Sequence, residues 1–411
     1  MLNESQRELL WIAECFMHGK EYHLPETFSD MKGLYLLAAE HKLGATVYEM
    51  IRREPQMSRE TTRTLAVQWK RGAVKEVMFQ IQRTEGFLDV YRKLREHGVK
   101  PLLVKGIICR ALYPMPDYRV SGDEDVLVRR EEFELCDAVL LEAGMQRGEL
   151  DMEHLPYEIP YINPTNGGYI ELHFTLFAEE SGAYGHLARE FATAHDTCVK
   201  ETIQGTDVWT LNPTLHLFYL VCHALKHFLH SGFGIRQVCD MVMMAERYGT
   251  EIDWKYIRSR MEALRMEYFW DGLVEIGREY LGFSMEKAHY PEEMQNHRVN
   301  SSHLLIDLLD SGVYGDSSME RKHSSNVTLA AAEKGEKNTV ASLKASLFPG
   351  RDYMKGRYPW VGRHPWLLPV AWVMRMVGYV RNSGKQNKEE PGSMEIGMNR
   401  VELLREYHLI K

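Results

Sequence analysis

Apolar residues recur at three- and four-residue steps through the first hundred positions. Val74, Met78, Ile81, Leu88, Tyr91 and Leu94 follow this period with one wider step, and Gly98 stands where a helix C-terminal cap is expected. The pattern predicts a helical region over 1–98. The texture then changes. Pro101–Val104 is a short apolar run that predicts a strand, and Ile107–Tyr113 a brief helix stopped by Pro114 and Pro116. Asp123–Val128 predicts a second strand, and Glu131–Ala143 a helix with acids in its first turn and Gly144 at its end. Leu155–Asn163 and Tyr169–Phe177 flank the turn-rich run from Pro164 to Gly168, which predicts a β-hairpin, and Cys198–Leu211 predicts another around Gly205. Asn212 and Pro213 open a long apolar helix over Thr214–Leu229, with further helices to about residue 310. Ser311–Asn338 and Ser383–Ser393 are polar and read as loops. The expected organisation is therefore α+β. A small mixed sheet over 99–211 is embedded in a mainly α-helical chain, with a helical domain over 212–382 and a linker with a C-terminal helix over 383–411.

Composition narrows the class. With 411 residues, 44% hydrophobic and 26% charged, the chain has the make-up of an ordinary globular protein of two or three domains. A formal charge of −8 argues against binding nucleic acid through bulk electrostatics, so nucleic acid is not favoured as a partner, although a local basic groove remains compatible. Met1–Lys20 has acidic residues where a secretory leader needs basic ones. Trp366–Val380 is too short to span a bilayer and contains Pro369 and Arg375, which predicts a buried helix and no transmembrane segment. Six scattered cysteines without CxxC spacing fit reduced thiols in the cytoplasm and no zinc cluster.

The candidate chemistry lies in the sheet region. Asp123 and Asp125, two apart on a strand, project from one face. In IELHF, Ile170, Leu172 and Phe174 form one face and Glu171 and His173 the other. If the two strands are neighbours, three carboxylates converge, an arrangement costly to bury without a partner cation. Two-metal phosphoryl chemistry needs such a cluster, because cations about 4 Å apart are bridged by acids and substrate phosphates. Magnesium or manganese suits oxygen ligands of this kind. Lys105 and Gly106 follow the first strand and open a helix, where a glycine lets phosphate approach the backbone N–H groups and a lysine adds charge. Arg119 is a second candidate for phosphate. Singly these signals are weak, since surface strands often carry DxD and a lysine–glycine pair is common turn chemistry. The order strand, Lys-Gly, helix, DxD strand, helix, hairpin, ELH strand gives them weight.

The stretch LLVKGIICRALYP…YRVSGDEDVLV, followed by IELHFTLF, resembles the uncharacterised bacterial nucleotidyltransferase family of the DNA polymerase β-like superfamily. LHLFYLVCHALKHF, GIRQVCDMVMM, SLFPGRDYM and PWLLPVAWVMR resemble its later segments, so the likeness covers roughly 70–380. The resemblance implies a nucleotidyltransferase-like fold and a nucleoside triphosphate substrate, ATP first among them. It makes Gly106 the phosphate-loop glycine, Asp123 and Asp125 the metal pair and Glu171 the third acid. Two departures stand out: Lys105-Gly106 replaces the usual Gly-Ser or Gly-Gly, and Glu124 occupies a normally apolar position. The acceptor and the oligomeric state are not identified. A nucleotide- or partner-binding protein without turnover, or an interaction protein at a membrane surface using Trp366–Val380, are the rival readings.

His223, His227 and His230 fall at i, i+4 and i+7, sharing a helix face. The HALKH run lacks the glutamate of a zinc signature, so a polar seam or pocket lining is expected. Arg236 and Asp240 are spaced to pair within a helix, and the resemblance includes both, which makes Arg236 a further nucleotide-binding candidate. His173 reads as a neighbour supporting Glu171. The basic and aromatic run Phe348–Arg363 reads as a segment whose aromatics pack on a helical core.

Overall fold

The computed structural model of the chain describes residues 2–148, 156–311, 319–334, 350–351, 354–355, 358–374 and 393–410. It divides into two compact units, one of residues 1–228 with 232–316 and the other of 229–231 with 317–411.

The first unit opens with helices α1 (Glu4–Met17), α2 (Met31–Glu40), α3 (Gly44–Ile51) and the long α4 (Arg63–Glu96). Helix α4 carries the predicted apolar stripe, but only the later part of that stripe is covered, although Trp69 and Ala73 are buried on another face. Leu88, Tyr91 and Leu94 are buried, whereas Val74, Met78 and Ile81 are exposed. A single mixed sheet follows, with strands β1 (Leu102–Val104), β2 (Glu124–Leu127), β3 (Gln146–Arg147), β4 (Glu158–Ile162), β5 (Tyr169–His173), β6 (Val199–Ile203) and β7 (Thr206–Thr210). Their order is β3-β4-β5-β2-β1-β7-β6. Both predicted hairpins form: β4 with β5 and β6 with β7 are antiparallel. Short helices α5 (Gly106–Ala111), α6 (Phe133–Glu142) and α7 (Ala194–Thr197) connect strands. Helices α8 (Pro213–Leu229), α9 (Ile235–Tyr248), α10 (Trp254–Ala263), α11 (Glu267–Tyr280), α12 (Glu292–Gln295) and α13 (Ser302–Ser311) complete the unit. The fold is α+β, as expected from the sequence.

Strand β2 lies at the centre, antiparallel to β1 and parallel to β5. All four of its positions are buried. Because side chains alternate, consecutive Glu124 and Asp125 face opposite ways, and each needs its own compensation. Glu124 obtains it from α5: its Oε2 accepts from Ile107 N–H at 2.7 Å and its Oε1 meets Arg110 Nη2 at 2.5 Å. Arg110 also donates to Ser121 and to Thr84 of α4, and Gln80 Oε1 accepts from Ser121 N–H at 2.8 Å. This buried network fixes the loop that delivers Asp123. It also explains the glycine, since a Cβ on Gly106 would stand 2.1 Å from Glu124 Oε2 and the residue has φ +32. Glu124 is thus not an intrusion into an apolar position but the cap of α5.

In the second unit, helix α14 (Met319–Lys334) occupies part of a stretch whose composition predicted a loop. It packs on the C-terminal helix Ser393–Glu406, and tertiary contact supplies what its polar sequence does not advertise. Most of the other expected loop, Ser383–Ser393, lies outside the described residues. The expectation of a buried helix at Trp366–Val380 is corrected in its described part. Ala371 is buried with Met354 and Val361, with Tyr358 and Trp360 packed alongside, but Trp366, Val370, Val373 and Met374 are exposed. Among the described residues no helix is long and apolar enough to cross a membrane.

Replacing Glu124 by alanine removes one partner of a buried ion pair and strands Ile107 N–H. The expected loss of stability is about 3–5 kcal/mol, read by chemical denaturation, with Glu124→Gln losing less. A Glu124→Ala protein as stable as the wild type would contradict this role.

Candidate functional site

On the other face of β2, Asp125 pairs in register with Glu171 of β5, so their side chains project from neighbouring strands to one side. His173 lies two residues further along β5 and joins them. Its Nε2 donates to Asp125 Oδ1 at 3.0 Å and stands 3.6 Å from Glu171 Oε2. Ligand atoms of Asp125, Glu171 and His173 all lie within 4.8 Å of one another, the separation expected of a shared cation. Asp123, just before β2 and partly exposed, is set apart from this trio but faces the same lysine.

That lysine is Lys105. Its ammonium lies 2.6 Å from Asp125 Oδ2 and 3.9 Å from Asp123 Oδ2, and donates to His223 Nε2 at 3.2 Å. It reaches this place from a backbone at φ 54, a left-handed conformation uncommon for a residue with a side chain. Its own N–H donates to His216 Nε2 of α8 at 3.1 Å, which helps hold that conformation. The helix N-terminus expected to meet phosphate is therefore partly engaged, since Ile107 N–H is bound by Glu124 and Lys105 N–H by His216.

Electrostatics follow from this packing. Burial opposes the charges on Lys105 and Asp125, but their attraction outweighs it, holding the ammonium well above and the carboxylate well below their usual ranges. Burial likewise disfavours charged His173, yet its bonds to Asp125 and Glu171 raise its pKa to about 9. Glu171 goes the other way: burial, with Asp125 and Asp123 beside it, raises its pKa despite the bond from His173. His223 is pushed well below its ordinary value by burial and by the Lys105 charge, so it is neutral and accepts.

Of the other candidates, Arg119 is buried and committed. It forms a two-pronged pair with Asp240, whose Oδ1 it meets through Nε at 3.0 Å, and Tyr113 donates to the same carboxylate at 2.8 Å. The expected Arg236–Asp240 pair is thus replaced by Arg119–Asp240, while Arg236 donates to the Val120 carbonyl. Even so, Arg119, Arg236 and Asp240 line the same cleft as Lys105, Gly106, Asp123, Tyr169, His223 and His227. His227 Nε2 lies 2.7 Å from His223 Nε2, but α8 ends at Leu229, so His230 falls outside the predicted helical seam. Sequence reading missed His216, although it stands seven residues before His223 on the same helix face. It also missed Arg83 of α4 and Lys42 of the turn between α2 and α3, which reach the cleft and share no motif with the acids.

Residues 29–282 match the family described as uncharacterised nucleotidyltransferase. No curated protein and no solved structure matches the chain.

Burial lowers the pKa of His216 to about 4, and its neutral form is the one that accepts from Lys105 N–H. The unfolded chain, with an ordinary histidine near 6.5, takes up the proton first as pH falls. This contribution is therefore complete above about pH 6.5 and is lost toward pH 4. The stability difference between the wild type and His216→Gln should shrink by on the order of 3 kcal/mol over that range, measured by denaturation at each pH. A difference that does not change with pH would count against it.

Proposed function

From the premise that the chain belongs to the uncharacterised nucleotidyltransferase family, we propose that it transfers a nucleotidyl group from a nucleoside triphosphate, ATP first among them, to a hydroxyl-bearing acceptor with the help of a divalent cation. The reading places the family within the DNA polymerase β-like superfamily. The observation that carries it is the register of β2 against β5, which sets Asp125 beside Glu171, while Asp123, just before β2, lines a cleft together with Lys105.

The donors fit such a cation. Asp125 and Glu171 offer hard oxygens close together, and His173, whose Nε2 carries the proton given to Asp125, would offer a nitrogen only on losing that proton. When bound, magnesium or manganese would offset phosphate charge and acidify the attacking hydroxyl. Asp123, partly exposed, extends the anionic wall toward the nucleotide. Glu171, whose proton affinity burial has raised, is suited to accept the proton of the acceptor hydroxyl. His173 orients Asp125 through its hydrogen bond, and Lys105 keeps the paired acids from repelling one another.

A second reading, nucleotide binding without turnover, is favoured by one feature. The Lys105 ammonium already occupies Asp125 Oδ2, so a cation must compete with it for that carboxylate.

The test is labelled ATP with magnesium or manganese and a broad acceptor panel, comparing wild type with Asp123→Ala combined with Asp125→Asn. Transfer with pyrophosphate release in the wild type, reduced by roughly a hundredfold or more in the variant, is expected. ATP binding with no pyrophosphate release from any acceptor would decide for the second reading, and equal behaviour of the two proteins would defeat the first.

A further inference from the structure

The wall of the cleft formed by α4 and α9 is chemically unfinished. Arg83 Nε on α4, and Arg236 Nε and Gln237 Oε1 on α9, are buried without a hydrogen-bond partner in the protein. All three residues line the cleft that contains Asp123 and Lys105. Buried polar atoms are rarely left unmatched, and three on one wall mark a place where a polar ligand completes the structure.

The charge of that ligand follows from how the other cations are used. Arg110 is held by Glu124, Arg119 by Asp240 and Lys105 by Asp125. Arg83 and Arg236 pair with no carboxylate among the described residues. Arg236 spends one terminal nitrogen on the Val120 carbonyl. Burial and the neighbouring Arg119 charge depress its pKa to about 10, which leaves it protonated at neutral pH and in surroundings that an anion would relieve. Two guanidinium forks lining one cleft from separate helices offer more donors than a single carboxylate would take up, which suits the several oxygens of linked phosphates. The turn before α5, by contrast, has committed two of its N–H donors, those of Ile107 and Lys105, to Glu124 and His216.

We propose that Arg83 and Arg236 form the polyphosphate-binding wall of this site, taking the role that the Lys105-Gly106 turn would hold in a phosphate loop. The inference rests on the nucleotidyl-transfer reading for the identity of the polyphosphate as the tail of a nucleoside triphosphate. Lys105 stays with the carboxylates, and the phosphates lie between an acidic wall on the sheet and a basic wall on the helices.

Titration calorimetry of the full chain with inorganic tripolyphosphate, and separately with ATP and magnesium, tests it. Arg83→Met and Arg236→Met should each weaken both ligands roughly ten- to a hundredfold, and Arg83→Lys and Arg236→Lys should recover part of the loss. The lysine variants also serve if a methionine variant fails to fold, since each should still bind more weakly than the wild type through loss of the guanidinium fork. Folded arginine variants that bind tripolyphosphate as tightly as the wild type overturn the proposal, as does a wild type that binds neither ligand. The two readings separate cleanly. Unchanged binding in the arginine variants, with transfer still lost on changing Asp123 and Asp125, removes only the arginine wall. Weakened tripolyphosphate binding in a protein that never transfers a nucleotide keeps the wall and removes the transfer.

Discussion

Two consecutive carboxylates on the central strand of a buried sheet set the terms for everything around them. Glu124 and Asp125 point to opposite faces, and neither can reach water to any extent. Each is matched by a cation from the same short segment of chain, Glu124 by Arg110 and Asp125 by Lys105. Leaving either acid unmatched would cost several kcal/mol, so the strand-to-helix turn between Lys105 and Arg110 has little freedom. It must send Lys105 to one side of the sheet and Arg110 to the other within a single turn of helix. Gly106, at a positive φ and against the Glu124 carboxylate, is the hinge that permits it. The left-handed backbone of Lys105, held by His216, is the other half of the same solution.

This pairing also redistributes the labour of the site. A helix N-terminus usually attracts anions because its first N–H groups lack partners. Here an internal carboxylate has taken the Ile107 N–H, which holds the turn in place and leaves fewer of its donors for a ligand. Lys105 likewise acts first within the protein: it neutralises Asp125 and lies close to Asp123 and His223. A rigid, preformed cluster of acids is what electrostatic preorganisation requires. The cost is that a divalent cation has to displace or share the Lys105 ammonium at Asp125.

How much of this was legible in the sequence depended on whether the relevant partners were close in the chain. The strand character of the DxD and ELH segments, both hairpins and the sharing of one face by Glu171 and His173 followed from alternation, which is a local rule. The parallel pairing that brings Asp125 beside Glu171 was conditional, because 46 residues lie between them and no local rule sets their register. Glu124 looked like a misfit because its partner lies fourteen residues earlier on a separate element, and ion pairs leave no periodic trace. The Arg236–Asp240 spacing suggested the wrong pair for the same reason: helical geometry allows it, but Arg119 reaches Asp240 from a loop with two donors. The exposed Val74, Met78 and Ile81 of α4 and the helix at Met319–Lys334 show the converse. Periodicity reports helical form, but coverage and helicity in a polar segment depend on tertiary neighbours.

The separation of charges gives the cleft its direction. The sheet contributes Asp123, Asp125 and Glu171 with Lys105 among them, so on the proposed reading this wall would favour a metal with phosphate. The helices contribute arginines without acidic partners, so that wall is favourable only to an anion. A bare divalent cation would satisfy the first wall and be repelled by the second, and a metal-free polyphosphate would do the reverse. On the proposed reading, a metal–triphosphate complex would present a cation to β2 and β5 and an anion to α4 and α9 at the same time. Its binding would therefore be cooperative between metal and nucleotide, each lowering the electrostatic cost of placing the other. That coupling is a property of opposed walls and does not depend on which acceptor enters the cleft afterwards.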